Sequence, residues 1–281
     1  MNNRAFRLKC VALGLPAFCG FLLFYILPFG KSVYYSFINN TFQRQFVFFD
    51  NYISVLNNQY YQLALKNTFV FSVTAVACAL LLALVLSIGL IGLSRRLAFL
   101  RNILILPMIL PTACTIFIWH LVFRSDSYFY FLKYASFGKD FFETLPLYML
   151  YLWKNTGINV ILLTAAIARI PADVYEAAAL DGASGFKRHR AVTFPLIVPS
   201  AIFVMVLSFV NALKSFKESY LFFRTDYPPD AAYTVQYYMN NHFRKLNYQN
   251  LTAGVNIFTV LIVAILLFVY VMENKYNESI Y

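Results

Sequence analysis

Charged residues are scarce in this chain of 281 amino acids. Asp, Glu, Lys and Arg account for 12% of the sequence, whereas a typical soluble domain has about 25%. Hydrophobic residues account for 60%, and the mean hydropathy is +0.63. A single soluble core cannot bury so many apolar side chains. The composition therefore excludes an ordinary soluble domain and predicts a protein that spans a lipid bilayer.

The sequence also lacks the short motifs that carry enzyme chemistry. It contains no G-x-x-x-x-G-K-[ST] phosphate-binding loop, no H-E-x-x-H, no paired C-x-x-C and no G-x-S-x-G. Its three histidines, His120, His189 and His242, are far apart in the sequence. We therefore expect no catalytic residue, no cofactor and no metal site in this chain.

Cysteine is rare, and its spacing does not suggest a disulfide framework. The four cysteines lie in or beside apolar stretches, at Cys10, Cys19, Cys78 and Cys114. Such positions favour small buried hydrophobic side chains over disulfide bonds or metal ligands.

Long apolar runs make up most of the remaining sequence. A helix needs about 20 mostly apolar residues to cross a membrane. Six runs reach this length, at roughly residues 8–29, 67–93, 101–123, 146–168, 196–213 and 251–272. Pro16, Pro107 and Pro111 lie inside these spans, where neighbouring helices can satisfy the backbone groups that proline leaves free. We predict an all-α membrane protein of six transmembrane helices, folded as a single domain over residues 1–281.

The net charge of +11 is concentrated in short connections between these spans. One set of connections carries Arg4, Arg7, Lys9, Arg95, Arg96, Arg101, Arg169, Lys187, Arg188 and Arg190. The opposite connections, around residues 30–66, 124–145 and 214–250, are longer and their basic residues are diluted. Because cytoplasmic connections are enriched in Lys and Arg, both termini are predicted to lie in the cytoplasm. No basic stripe runs along a soluble face, so we expect contact with membrane lipid and no nucleic-acid partner.

The connection between the fourth and fifth spans, residues 170–195, has an unusual composition for a loop. Pro171 can open a helix, because the first turn does not need its missing N–H. The segment EAAALDGAS, Glu176–Ser184, supplies strong helix formers and Gly182, which can close the helix in a left-handed conformation. Its alanines let another surface approach closely, and the Glu176 carboxylate offers that surface a directional partner. The segment is either a solvated loop or a docking site for a moving partner.

One bacterial protein family carries a motif that resembles EAAALDGA followed by FPLIVP. It is the cytoplasmic EAA motif of ATP-binding-cassette (ABC) importer permeases. The match lies at Glu176, Ala177, Ala178 and Gly182, and Phe194-Pro195 stands where the family usually has Leu-Pro. The carbohydrate-uptake branch of this family is similar to the chain at LPFGKSVYYSF, FDNYISVL, LKNTFVFS, WKNTGINVILLTAAIARIP and SFKESYLFF. Nearly the whole chain resembles the first of the two permeases in such systems, the maltose/glycerol-phosphate "F/A" type.

The resemblance implies a type I ABC importer permease fold in a bacterial inner membrane, with residues 170–195 as the cytoplasmic coupling segment. It implies a second permease, separate ATPase subunits that hydrolyse the ATP, and an extracytoplasmic solute-binding protein as partners. It assigns contact with the ATPase to Glu176, Ala177, Ala178, Gly182, Ala183, Phe186 and Pro195. The implied function is the import of a carbohydrate.

Polar side chains inside a span are costly and often functional. The fourth span contains Lys154, Asn155 and Asn159, and the two asparagines are four residues apart, so they share a helix face. Their amides can bind sugar hydroxyls, or they can join neighbouring helices. The candidate solute path consists of Asn155, Asn159, Asn211 and Asn256. For Lys154 we favour a structural ion pair.

Other functions remain open from the sequence. The importer could carry an amino acid, a polyamine or a phosphonate. The chain could also be a self-sufficient secondary transporter or channel with a purely structural EAA-like segment, although no internal repeat supports this. The aromatic segment Lys214–Asn250 is either an interfacial belt or a docking surface for a binding protein, and for Phe222 and Phe223 we favour the belt.

Overall fold

The computed structural model describes residues 3–40, 42–91, 99–123 and 139–280, and these residues are almost entirely helical. The helices in chain order are α1 (Asn3–Phe21), α2 (Leu27–Tyr35), α3 (Asp50–Leu56), α4 (Gln59–Ile91), α5 (Phe99–Ile109), α6 (Thr112–Val122), α7 (Lys139–Ala168), α8 (Ala172–Leu180), α9 (Gly185–Arg188), α10 (Phe194–Leu213), α11 (Phe216–Phe223), α12 (Val235–Arg244) and α13 (Tyr248–Ile280). Turns of π-helix at Leu22–Ile26 and His189–Thr193 join α1 to α2 and α9 to α10. Within the described residues, the only β pairing is an isolated bridge between Ile38 and Phe46. The prediction of an all-α protein is confirmed.

Five continuous helical stretches are long and apolar enough to cross a membrane. They are Ala12–Tyr35, Gln59–Ile91, Phe142–Ala168, Gly185–Phe223 and Tyr248–Tyr276. They correspond to the first, second, fourth, fifth and sixth predicted spans, and each extends past at least one of its predicted ends because polar residues continue the helix beyond the apolar run. Residues 92–93 of the second predicted span, Arg95 and Arg96, and residues 124–138 lie outside the described part of the chain.

The third predicted span, residues 101–123, is not one straight helix. α5 and α6 are bent by 108° relative to each other at a break between Ile109 and Thr112. Pro111 accounts for this break, because proline has no N–H to continue the helical hydrogen bonds and disfavours a helical conformation in the residue before it. The prediction of Pro111 inside a continuous span is therefore wrong, whereas Pro16 and Pro107 do lie inside helices. α5 and α6 provide a sixth crossing only as a bent pair.

The chain divides into two compact units. The first combines the residues up to Gln62 with Tyr238–Val263. Its core contains Tyr61, whose hydroxyl donates a hydrogen bond to the Gly254 carbonyl at 2.9 Å. The Tyr61 ring also packs edge-on against Tyr238, with 4.9 Å between the ring centroids. These contacts fix the start of α4 against α13 within this unit.

The second unit combines Leu63–Tyr237 with the residues from Ala264 onward. In this unit α4 packs against α7 through small, fully buried residues at intervals of four, namely Ala75, Ala79, Ala83 and Ser87. Small residues let two helices approach closely. The Ser87 hydroxyl donates a hydrogen bond to the Val160 carbonyl of α7 at 3.0 Å. α5 also approaches α7 closely, at Gly157, where a Cβ atom would lie 1.7 Å from the Leu104 carbonyl oxygen.

Much of the apolar surface of this single chain is exposed. No residue in the apolar window of Ala12–Tyr35 is buried, and only 6% of the corresponding window in Tyr248–Tyr276 is buried. The prediction that the cysteines are buried is wrong for Cys19, Cys78 and Cys114, which are exposed and free. Lipid is as apolar as a protein core, so a cysteine in an apolar stretch of sequence can face either environment.

Candidate coupling segment and solute cavity

α8 forms where the sequence predicts a helix, at Ala172–Leu180. Pro171 precedes it with φ −58° and ψ 143°, so this proline lies just outside the helix instead of in its first turn. Asp173 occupies the first turn, where a carboxylate interacts favourably with the free N–H groups. The alanines that follow are the strongest helix formers, so they favour a helix at positions that make few side-chain contacts.

The predicted left-handed glycine at the end of α8 is confirmed. Gly182 has φ +79°, a conformation that residues with a side chain rarely adopt. The Ala183 N–H donates to the Ala178 carbonyl at 2.9 Å, and the Gly182 N–H donates to the Ala179 carbonyl at 3.0 Å. This pair of hydrogen bonds is the Schellman arrangement, which satisfies the last carbonyls of a helix. The helix therefore ends sharply and the chain turns back toward α10.

Most residues predicted to contact an ATPase lie on an exposed surface. The exposed ones are Glu176, Ala177, Gly182, Phe186 and Pro195, while Ala178 is half-buried and Ala183 is buried. Two apolar side chains of this segment are almost fully accessible, Leu180 at 90% and Phe186 at 72%. Large apolar side chains exposed together in a connection between spans indicate a contact surface.

A group of side chains that the sequence analysis did not identify joins α8 to the chain before α10. The Thr193 hydroxyl lies 3.0 Å from the Tyr175 hydroxyl and 3.0 Å from His189 Nδ1. The Arg188 guanidinium lies over the Tyr175 ring, 5.6 Å from its centroid. We call Tyr175, Arg188, His189 and Thr193 the clasp. The sequence does not predict the clasp, because Tyr175 and Thr193 are 18 residues apart.

The second unit contains a cavity of about 280 Å³ lined by α7, α10 and α11, with further residues from α4 and α5. Its polar lining consists of Lys154, Asn155, Asn211, Lys214, Ser215 and Glu218. Among the described residues, no group of three or more His, Cys, Asp or Glu side chains could hold a metal ion. The lining can instead donate and accept hydrogen bonds around a small polar solute.

The structure brings Asn155 and Asn211 together at this cavity. The Asn211 side-chain N–H donates to Asn155 Oδ1 at 3.1 Å, and the Asn155 side-chain N–H donates to the Tyr151 carbonyl at 2.9 Å. Asn211 is exposed and Asn155 is half-buried. Both amides therefore retain unused hydrogen-bonding capacity toward the cavity.

Asn159, one turn further along α7, has a different environment. It is 2% exposed, and its side-chain nitrogen lies 2.8 Å from the hydroxyl of the buried Ser208 on α10. The Tyr151 hydroxyl donates to the Ser208 carbonyl at 2.7 Å. These contacts join α7 to α10, and Asn159 is not among the residues that line the cavity.

Asn256 also lies away from the cavity lining. It belongs to the first unit, where its side-chain N–H donates to the Ser36 hydroxyl at 3.1 Å and lies 3.3 Å from the Tyr52 hydroxyl. Its side chain is 8% exposed. This environment fits an amide that joins helices within that unit.

Lys154 forms the structural ion pair that the sequence analysis favoured. Its ammonium nitrogen lies 2.6 Å from Glu218 Oε1, and the two side chains are 19% and 18% exposed. Glu218 lies in the first turn of α11, where the free N–H groups also favour a carboxylate. The pair fixes α11 against α7 at the rim of the cavity.

The aromatic segment after α10 is folded into α11 and α12. Phe222 stacks on His120 with 4.6 Å between ring centroids and an interplanar angle of 5°. Phe222 and Phe223 are half-buried and line a second cavity with Phe123 and Phe142. Burial raises the pKa of Tyr237 to about 12, and its hydroxyl lies 3.0 Å from that of Ser219 on α11. These contacts hold α11 in place.

Comparisons with known proteins agree with this geometry. Residues 92–277 match the family described as binding-protein-dependent transport system inner membrane component. The chain belongs to this family. The resemblance predicted from the EAA-like motif is confirmed, and the chain is an inner-membrane component of a binding-protein-dependent transport system.

Three relatives of this chain are each less than 30% identical to it. The inner-membrane component is 27% identical to the trehalose/maltose transport system permease protein MalF of Thermococcus litoralis, over 94% of this chain and 93% of the relative. It is 26% identical to the arabinooligosaccharides transport system permease protein AraP of Bacillus subtilis, over 89% and 83%. It is 29% identical to the sn-glycerol-3-phosphate transport system permease protein UgpA of Rhizobium meliloti, over 68% and 69%.

A solved structure shares the fold of the inner-membrane component. A chain of a bacterial ABC transporter involved in the import of the acidic polysaccharide alginate superimposes with a TM-score of 0.79. The alignment covers 97% of this chain and 96% of the other, at 21% sequence identity. The predicted ABC importer permease fold is thereby confirmed.

Proposed function

We propose that this chain is a permease subunit of an ATP-driven importer and that, with a second permease, it forms the path for a carbohydrate. An extracytoplasmic solute-binding protein delivers the carbohydrate, and separate ATPase subunits supply the energy. Family membership supports the dependence on a binding protein. We infer that the chain is a single permease domain and that both of its termini lie in the cytoplasm; the distribution of basic residues supports this orientation.

The observation that carries the proposal is the exposed surface of α8. Glu176 and Ala177 are exposed, and Leu180 is 90% exposed although it is apolar. Alanines allow a close approach, the carboxylate can bind an Arg or Lys of the partner, and Leu180 can be buried in the contact. The ATPase subunit is the partner of this surface. When the ATPase closes on its nucleotide it displaces α8, and this displacement opens and closes the path.

The cavity beside α7 supports a carbohydrate as the solute. Asn155 and Asn211 present amides that donate and accept hydrogen bonds, as sugar hydroxyls require of their partners. A volume of about 280 Å³ is close to the lower end for small-molecule sites, and the second permease completes the site. The names of the three relatives refer to trehalose and maltose, to arabinooligosaccharides and to sn-glycerol-3-phosphate, and the description of the solved structure refers to alginate.

A charge reversal at Glu176 tests the docking of the ATPase. We expect Glu176→Lys to abolish solute uptake and uptake-coupled ATP hydrolysis, because the lysine repels the basic group that the carboxylate binds. The measurements are uptake of radiolabelled sugar by cells and ATPase activity of the purified complex. Membrane insertion is expected to stay normal, because Glu176 is exposed and outside the spans.

Glu278→Lys is the matched control, because Glu278 is also an exposed acid outside the spans but lies at the end of α13. This variant is expected to take up solute normally. Normal uptake by Glu176→Lys would contradict the docking role. Solute flux through the chain reconstituted alone, without any ATPase, would instead favour a self-sufficient transporter.

A further inference from the structure

One residue of the clasp, Thr193, contacts both α8 and the π-helical turn that precedes α10. Thr193 is fully buried, and its hydroxyl contacts Tyr175 of α8 and His189 of the π-helical turn, each at 3.0 Å. A threonine hydroxyl donates one hydrogen bond and accepts others, so it can serve both partners at once. In a buried site, both interactions are stronger than they would be in water.

The two faces of α8 differ in exposure, and Tyr175 lies on the face that packs against the rest of the protein. Tyr175 and Ala178 are three positions apart and half-buried, whereas Glu176, Ala177 and Leu180 are exposed. One face of α8 therefore meets the protein and the other is free for the ATPase. The Arg188 guanidinium covers the Tyr175 ring at 5.6 Å from its centroid, which holds the tyrosine in this orientation.

The π-helical turn at His189–Thr193 places the clasp at the foot of α10. Its hydrogen-bond pattern is less favourable than that of an α-helix, and such turns are often found at functional sites. The Phe194 N–H donates to the His189 carbonyl, so the turn continues directly into α10. Thr193 is thus joined rigidly to α10 through the backbone and to α8 through its side chain.

α10 leads from the clasp to the cavity. Ser208 and Asn211 lie 15 and 18 residues beyond Thr193 on a continuous helix, or about 22 and 27 Å at 1.5 Å per residue. Ser208 contacts Asn159, and Asn211 contacts Asn155, both on α7. A displacement of α8 that is transmitted by Thr193 therefore reaches the side chains at the cavity without crossing a flexible segment.

We propose that Thr193 is a positioning residue that fastens α8 to α10 and so transmits the movement of the docked ATPase to the solute cavity. The inference rests on the proposed docking of the ATPase on α8. Thr193 itself touches neither the ATPase nor the solute. Without its hydroxyl, α8 can move with the ATPase while α10 stays behind, and ATP is hydrolysed without transport.

The test uses the complete complex of permeases, ATPase and binding protein in liposomes, with a radiolabelled transported sugar. Thr193→Val keeps the shape and removes the hydroxyl, and Tyr175→Phe removes the other hydroxyl while keeping the ring under Arg188. Both variants lose the hydrogen bond between Tyr175 of α8 and Thr193, which is worth about 1 kcal/mol, so we expect about fivefold fewer sugars transported per ATP in each. Thr193→Ser restores the hydroxyl and is expected to restore the ratio.

Thr74→Val is the matched control. The Thr74 hydroxyl also contacts a tyrosine hydroxyl, that of Tyr148, at 2.8 Å, but between α4 and α7. This variant is expected to keep the wild-type ratio. An unchanged ratio in Thr193→Val would overturn the proposal. So would loss of the ATPase from both clasp variants during purification, since Thr193 would then only maintain the fold of α8.

A cross-link separates this inference from the proposed function on which it rests. Ala177→Cys places a thiol on the exposed face of α8, for cross-linking to a cysteine introduced in the ATPase. If the active complex gives no cross-link, the docking proposal fails. If the cross-link forms and Thr193→Val is fully coupled, only the role of Thr193 fails.

Discussion

Replacing Gly157 by alanine tests the closest approach between helices in the second unit. A Cβ atom at this position would lie 1.7 Å from the Leu104 carbonyl oxygen and 2.6 Å from the Leu104 carbonyl carbon. Ordinary van der Waals contacts of Cβ begin at 3.4 Å, twice the first of these distances. The obstacle is backbone, so no side chain can rotate away. α5 and α7 must move apart along much of their contact.

The expected loss of stability in Gly157→Ala is the difference between two opposing free-energy terms. Overpacking a tight contact costs about 3 kcal/mol at the upper end of the usual range, and exchanging glycine for alanine inside a helix regains about 1 kcal/mol. The net loss of about 2 kcal/mol corresponds to a fall in Tm of about 3 °C for a chain of this size. The assay is thermal unfolding of the purified complex in detergent, followed by size-exclusion chromatography after heating.

Gly89→Ala provides the control, because Gly89 is also inside a long helix and no atom lies within 4 Å of the added Cβ. Its Tm is expected to stay the same or to rise slightly. If Gly157→Ala were as stable as the wild type, α5 and α7 could not pack as closely as described. The reasoning from the Leu104 carbonyl would then be refuted.

Two further predictions concern the polar residues at and near the cavity. Asn159→Ala is expected to destabilise the complex by about 1–3 kcal/mol, because it leaves the buried Ser208 hydroxyl without its amide partner. Asn155→Ala should instead keep the Tm and lower sugar uptake. The opposite pattern would contradict the assignment of Asn155 to the cavity. Lys154→Met should lower the Tm, because it leaves the Glu218 carboxylate partly buried without its cation, and a second substitution, Glu218→Gln, should restore part of the loss. An unchanged Tm in Lys154→Met would show that the pair does not hold α11 in place.

The helical architecture was largely predictable from the sequence because it depends on local properties. Runs of apolar residues determine the spans, and α8 follows from its alanines together with Gly182, whose φ of +79° only glycine adopts readily. The sequence analysis did not predict the bend at Pro111, because transmembrane helices can contain proline and the sequence does not show which prolines break them. Pro16 and Pro107 are tolerated inside helices, and only the surrounding structure distinguishes them from Pro111.

The side-chain contacts were less predictable because they depend on residues distant in sequence. Asn155 and Asn159 share a helix face, yet Asn155 lines the cavity and Asn159 is buried against Ser208 on α10. The same applies to the clasp, since nothing in the sequence near Thr193 indicates that Tyr175 lies beside it. The prediction of an ion pair at Lys154 succeeded for a general reason: a cation within a span needs a counterion.

The lengths of α4 and α13 have a consequence for the two faces of the membrane. Each helix has 33 residues and is therefore about 50 Å long, whereas the hydrocarbon layer is about 30 Å thick. A moderate tilt absorbs only a few ångströms, so each helix protrudes from the bilayer. The polar ends are Gln59–Lys66 in α4 and Glu273–Glu278 in α13, the first at an amino end and the second at a carboxyl end. With the bent pair α5 and α6 counted as one crossing, α4 and α13 are the second and sixth crossings and run in the same direction, so their polar ends lie on opposite sides of the membrane.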